Sequence, residues 1–223
     1  EEWSQVDHWC KFLTDTIPNE LENKITRLWD KALQEHLPDS CEYMMISVFS
    51  YWTMYIARLL ITHESKKLRP YRLVVGGNGC SSKFPDTDQY FKCWNDENKF
   101  IEHLLMGEGE NPLAELLSNG KVKYDESDLD SYPFPSYGGV QFEDYSEKKL
   151  YITGSRGCVR RCKFCDIQNI WPKFRFRSGK NLVDEIKKQV YEHGIKTFEF
   201  TDSLINGSVS QFYKFNDLLA NEK

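Results

Sequence analysis

The sequence predicts an α/β fold in two parts. From residue 41 onward, short apolar runs of strand length alternate with segments of helical period, the pattern of strands joined by helical crossovers. The stretch 120–147 sustains no period and carries Pro133, Pro135, Gly138 and Gly139 among several acids, which marks a boundary. A third observation places the chemistry: Cys158, Cys162 and Cys165, a Cys-x3-Cys-x2-Cys triplet, follow directly on a strand-like run.

The elements are read in order. Over 19–37, Leu21, Ile25, Leu28, Ala32 and Leu33 fall at helical spacing, with Lys24, Arg27, Asp30 and Lys31 mostly between them, so an amphipathic helix is expected. Thr16 and Pro18 stand where it would start. Residues 43–49 form an apolar run of buried-strand length, and 51–65 place Met54, Ala57, Arg58 and Ile61 at helical steps. Residues 71–75 give a second buried strand, ending in Gly76-Gly77-Asn78-Gly79, a turn that brings backbone close to a neighbour. Residues 80–98 are polar and aromatic, predicting loops and a short helix, and 100–106 a third strand. Gly107-Glu108-Gly109-Glu110 then leads into a helix opened by Pro112 and running through Leu117. This order predicts a parallel sheet covered on both faces.

Beyond the boundary, 149–153 reads as a strand, 180–193 as a helix with Leu182, Val183, Ile186 and Val190 on one side, and 196–201 as the next strand, closed by Asp202-Ser203. Residues 208–220 form another helix with Val209, Phe212, Phe215 and Leu219 expected inward. The expected organisation is a helical segment at 1–40, an α/β domain at 41–119, a linker at 120–147 and a second domain at 148–223.

Composition narrows the class. A formal charge of −5 gives no general attraction to nucleic acid, and 40% apolar residues suffice for a core. No apolar run approaches the ~20 residues of a membrane span and no signal peptide is evident, so a cytoplasmic protein without membrane contact is expected. Seven cysteines, an odd number with three clustered, do not suit a secreted disulfide framework. Cys10, Cys41, Cys80 and Cys93 are scattered and read as ordinary thiols.

The triplet carries the chemistry. Three thiols within eight residues can converge on one centre, yet fall one short of a filled tetrahedral site or a fully ligated four-iron cluster. Arg156, Arg160, Arg161 and Lys163 flank the loop and would offset the negative charge of a thiolate-ligated cluster. The competing reading is a zinc site completed by Asp166 or a distant histidine, although no second Cys-x2-Cys pair stands 12–20 residues on.

The triplet, with the aromatic Phe164 just before its last cysteine, resembles the radical S-adenosylmethionine superfamily. The resemblance implies that Cys158, Cys162 and Cys165 hold a [4Fe-4S] cluster whose open iron binds S-adenosylmethionine, and that a reductant such as flavodoxin or ferredoxin supplies one electron to release a 5'-deoxyadenosyl radical. It implies that the backbone of Phe164 lies near the adenine. It also puts Thr201, Asp202 and Ser203, at the end of the second strand, where relatives contact the methionine amine, although they do not spell the common Gly-Gly-Glu. Trp171 and Pro172 either line the substrate cavity or pack the loop.

The first part, from Ile46-Ser47 through Ala57, Lys66 and Val74-Val75-Gly76-Gly77 to Gly107-Glu108-Gly109-Glu110 and Leu116-Leu117, is similar to the cobalamin-binding-type domain found ahead of many of these enzymes. The implied architecture is a Rossmann-like cobalamin-binding-type domain followed by the first part of a (β/α)6 partial TIM barrel. Gly76 and Gly77 would then pass near a corrin. One departure stands out: the Asp-x-His-x-x-Gly that supplies a histidine ligand to cobalamin is absent, and Asp7-His8 is adjacent and lacks the glycine. The chain begins at Glu1 and ends soon after a helical pattern with two β/α units behind it, so a fragment of a longer enzyme is expected. The implied activities are methyl transfer or rearrangement on an unreactive carbon. Two alternatives are a methylthiotransferase acting on tRNA or protein, with an auxiliary cluster, and a non-catalytic iron–sulfur or zinc module.

Overall fold

The computed structural model describes residues 16–38, 40–49, 51–68, 70–77, 99–165 and 167–222. Cys10, Cys80, Cys93, Asp7-His8, Asn78-Gly79, Asp166 and all of 80–98 lie outside them. The chain divides into two compact units, residues 1–122 and 123–223, both mixed α/β with parallel strand pairs.

The first unit runs α1 (Asn19–His36), β1 (Tyr43–Ser47), α2 (Tyr51–Ser65), β2 (Arg72–Gly76), β3 (His103–Leu104) and α3 (Glu110–Ser118). Its three strands are parallel in the order β1-β2-β3. Register sets Met44 beside Leu73 and Ile46 beside Val75. That face packs on Val48, Met54, Ala57, Ile61, Tyr71 and Ile101. Ile61, Leu73 and Val75 are wholly buried, each contributing roughly 1.5–3 kcal/mol of apolar burial.

The opposite face departs from the expected two-sided cover. Val74 is buried there, but its neighbour Met45 is 44% exposed. A groove of about 400 Å³ opens between β1 and Leu116, Leu117 and Asn119 at the end of α3. The third strand is also shorter than the apolar run over 100–106 suggests. The Glu102 carboxylate accepts the Leu73 N–H at 2.7 Å, where a strand backbone would otherwise serve, so side chain replaces ladder at its entry. Helix α1 forms as its period predicts, yet none of its residues is buried, and Leu21 and Leu28 are exposed. Polar contacts hold it instead: the Trp29 indole donates to Glu64 at 3.0 Å, His63 and Asp30 pair at 2.8 Å, and Tyr55 donates to Glu22.

The second unit contains β4 (Lys149–Ile152), β5 (Ser155–Arg156), α4 (Ile167–Ile170), β6 (Arg175–Phe176), α5 (Gly179–His193), β7 (Thr197–Phe200) and α6 (Val209–Ala220). Strands β4 and β7 pair in parallel, Ile152 beside Phe200, with α5 on the connection between them. Ile152, Leu182, Val183, Ile186 and Phe215 form the core, flanked by Val190, Phe198, Phe200 and Leu218. The inward stripe of α6 is therefore narrower than its sequence suggests, since Val209 and Leu219 are exposed. Ser178 caps α5, its hydroxyl accepting the Asn181 N–H at 3.1 Å. Helices α5 and α6 meet backbone to backbone at Gly179, where a Cβ would lie 2.6 Å from the Phe215 nitrogen.

The stretch expected as a linker belongs largely to this unit. Asp130 accepts the Ser178 N–H at 2.9 Å, and the Pro135 carbonyl accepts from buried Gln189 at 2.9 Å. The rings of Tyr137 and Phe142 stand 5.9 Å and 5.3 Å from His193. The stretch is tied to α5 and its cap by these side-chain bonds rather than by a strand ladder of its own.

Candidate functional site

The cysteine loop is a closed hairpin. Strand β5 leaves just after β4, β6 returns antiparallel to it, with Ser155 beside Phe176 and Arg156 beside Arg175, and all three cysteines lie between. Two-residue strands carry no readable period, so this stem was not legible in the sequence. Gly157 sits at the mouth with φ +86°, and a Cβ there would come within 2.8 Å of the Lys173 carbonyl and 3.2 Å of the Trp171 carbonyl. Only glycine fits both the left-handed backbone and that approach. The Trp171 backbone thus lies close to the stem at Gly157, while Pro172 is exposed.

Within the loop, the Gln168 amide donates to the carbonyls of Cys158 at 2.6 Å and Arg160 at 3.1 Å. The Cys165 N–H returns to the Cys162 carbonyl at 3.1 Å. The Arg160 N–H points at the Cys158 sulfur at 3.4 Å. Cys158 is partly buried, and Cys162 and Cys165 are exposed. Arg160, Arg161 and Lys163 are exposed beside them, as is Phe164, at 93%. Arg156 lies over the Tyr132 ring at 5.4 Å. Three soft, accessible thiols with backbone donors and basic neighbours fit an iron–sulfur centre held from one side.

Thr201, Asp202 and Ser203 follow β7, beside the end of β4. The Thr201 and Thr153 hydroxyls meet at 2.9 Å, and the Thr201 N–H donates to Ile152 at 3.0 Å. The Asp202 carboxylate accepts the Gly154 N–H at 2.8 Å and the Ser155 hydroxyl. Ser203 is exposed, and the structure gives it no side-chain contact that bears on a ligand. The sequence reading did not single out Arg177. Its guanidinium donates to the Thr153 carbonyl at 3.2 Å, to Asn181 at 2.6 Å and to buried Glu185, and lies over the Phe134 ring. The signal available was Arg177-x3-Asn181-x3-Glu185, a polar row at four-residue steps running from just before the Ser178 cap into α5.

In the first unit, Gly76 and Gly77 end β2. Gly77 has φ +105°, and a Cβ there would lie 2.6 Å from the Val48 carbonyl; at Gly76 it would touch Leu105 at 3.3 Å. Both glycines are thus accounted for by the chain's own packing. Gly109 occupies the N-cap of α3 with Glu110 in its first turn, so the Gly-Glu-Gly-Glu run is a helix entry. Cys41 donates its thiol to the Tyr43 carbonyl at 3.2 Å.

A second titratable group lies between α1 and α2. Among the described residues, Asp30, His63 and Glu64 bring three ligand-type atoms within 4.8 Å of one another. The Lys67 ammonium already bridges Asp30 and Glu64, at 2.8 Å from the latter, so the local cation is a side chain. The Lys67 hydrogen bond, with His63, holds the Asp30 carboxyl below its ordinary range. Burial pushes Glu64 up, but hydrogen bonds from Lys67, Tyr71 and Trp29 outweigh it and hold it low. Burial lowers Lys67, and its two carboxylate partners more than restore it, leaving it above its ordinary value.

No family model matches the chain, and no solved structure matches it significantly. Several curated enzymes do. A cytidylyl-2-hydroxyethylphosphonate methyltransferase of Streptomyces wedmorensis is 33% identical over 95 residues, 37% of this chain and 18% of that enzyme. An anaerobic magnesium-protoporphyrin IX monomethyl ester cyclase of Cereibacter sphaeroides is 32% identical over 93 residues, 40% of this chain and 15% of the relative. A tRNA-2-methylthio-N(6)-dimethylallyladenosine synthase of a Hydrogenobaculum species is 29% identical over 140 residues, 57% of this chain and 29% of the relative. The matches thus span less than a third of each of these relatives. Together they support the likeness to the radical S-adenosylmethionine superfamily that the cysteine loop carries. No helix among the described residues is long and apolar enough to cross a membrane.

Proposed function

We propose that this chain carries the cluster-binding part of a radical S-adenosylmethionine enzyme. The observation that carries the reading is the hairpin whose loop carries Cys158, Cys162 and Cys165 just beyond the carboxyl end of β4, where α/β folds place reactive groups. The three thiolates would hold a [4Fe-4S] cluster through three of its irons. When bound, that cluster and S-adenosylmethionine would supply a 5'-deoxyadenosyl radical. The chain's own residues do the rest. The β5–β6 stem and Gln168 hold the backbone of the loop, the Arg160 N–H donates to the Cys158 sulfur, and Arg160, Arg161 and Lys163 would offset the charge of the centre. The same exposed basic residues suit an acidic electron donor such as flavodoxin or ferredoxin. Phe164 would present its backbone to the adenine, with Thr201, Asp202 and Ser203 near the methionine end.

The architecture that goes with this is a Rossmann-like unit ahead of the first β/α units of a partial barrel, in a cytoplasmic protein. Relatives named as methyltransferase and cyclase support methyl transfer or rearrangement on an unreactive carbon. Cobalamin fits these residues poorly: the chain itself fills the space at Gly76 and Gly77, and the sequence carries no Asp-x-His-x-x-Gly. The methylthio synthase among the relatives favours a second reading, methylthiolation with an auxiliary cluster.

The test is electron paramagnetic resonance of the anaerobically reconstituted, reduced protein. A four-iron signal that changes when S-adenosylmethionine is added supports the proposal. A signal indifferent to S-adenosylmethionine overturns it in favour of a non-catalytic iron–sulfur module.

A further inference from the structure

We infer that Asp202 is a positioning residue that locks the stem of the cysteine loop to the end of β7, and not the ligand of a bound amine. The inference rests on the cluster reading above, but its geometry lies wholly within this chain. Strands β4 and β7 run in register to Ile152 and Phe200, so Thr153 and Thr201 are paired next, and Asp202 faces the residues that follow Thr153. One carboxylate oxygen takes the Gly154 N–H at 2.8 Å and the other takes the Ser155 hydroxyl. Ser155 is 5% exposed and opens β5, the outgoing arm of the hairpin, three residues before Cys158. Both bonds are charge-assisted, the stronger class of hydrogen bond.

Gly154 completes the arrangement. A Cβ there would lie 3.2 Å from one Asp202 oxygen and 3.1 Å from the Ile205 side chain, so glycine lets the carboxylate close on the backbone. Arg177 grips the same turn, its N–H donating to the Gly154 carbonyl at 2.8 Å and its guanidinium to that of Thr153. Residues 153–155 are thus fixed from two elements, and the direction in which the cysteine loop leaves the sheet is set by Asp202.

The test uses the full chain with Asp202→Asn, Ser155→Ala and the double variant. On metal-free protein, hydrogen exchange at Gly154–Arg156 is expected to quicken about tenfold or more in each single variant, the factor for one lost charge-assisted bond. After anaerobic reconstitution, both single variants are expected to shift the cluster's midpoint potential in the same direction, with the double variant shifting it no further. S-adenosylmethionine affinity, measured separately, should fall no more in Asp202→Asn than in Ser155→Ala. Unchanged exchange in Ser155→Ala overturns the inference. So does a loss of S-adenosylmethionine binding confined to Asp202→Asn, which is the behaviour of a direct amine ligand. Ser155→Ala leaves the carboxylate on Gly154 and carries the test alone if Asp202→Asn does not fold. If the wild type holds no iron, the cluster reading fails while the exchange experiment still decides the clamp.

Discussion

At the scale of single residues, Glu64 shows how a buried charge is kept in a small unit. It is 1% exposed, yet Lys67, Tyr71 and Trp29 satisfy it, and through Trp29 and Asp30 it holds α1. Lys67→Met leaves that carboxylate buried with fewer partners, and thermal unfolding should show a loss of ~1–3 kcal/mol. The pH dependence follows from the direction of the shifts. Asp30 and Glu64 are held below their ordinary values, so the unfolded chain binds more protons in acid. Their contribution is full above the ordinary carboxylate value of about 4 and is lost as pH falls below it through their lowered values. Lys67 is raised, so its contribution is full below about 10.4 and lost as pH rises beyond. Stability measured against pH should therefore be flat from about 5 to 10, and Glu64→Gln should flatten the acid limb. An acid limb unchanged in that variant would show that other groups set it.

Among the elements, those built on long apolar periods were legible and those built on side-chain satisfaction were not. Strands β1, β2, β4 and β7 and helices α2, α5 and α6 stand within a residue or two of where the sequence puts them, because Leu73, Val75, Ile152, Leu182 and Ile186 repeat at strand or helix spacing. The β5–β6 stem escaped because two residues make no pattern and its pairs join positions about twenty apart. Asp202 lay at the position the resemblance indicated, but its partners Gly154 and Ser155 are nearly fifty residues away, a contact no local period encodes. Gly179 carries no local signal of the α6 backbone that packs against it. Gly179→Ala should force α5 and α6 apart, since the new Cβ meets the Phe215 backbone and not a side chain that can turn away. The expected cost is ~1–3 kcal/mol by chemical denaturation, and a neutral substitution would mean that the two helices slide freely.

Across the whole molecule, two separate cores predict separable behaviour. Lys67→Met should lower the stability of the first unit and Gly179→Ala that of the second, seen as different segments losing protection in hydrogen exchange. Loss of protection throughout the chain in either variant would mean that both units unfold as one. In the proposed function the chemistry belongs to the second unit, with the thiol triplet as its central element. The most direct measurement is a count of iron, acid-labile sulfide and zinc in the anaerobically reconstituted chain, with Cys158, Cys162 and Cys165 replaced by alanine in parallel. A brown protein with about four irons and four sulfides per chain, falling to none in the alanine variant, is the outcome the three-thiolate reading requires. A colourless protein holding one zinc, or iron that survives loss of all three thiols, contradicts it.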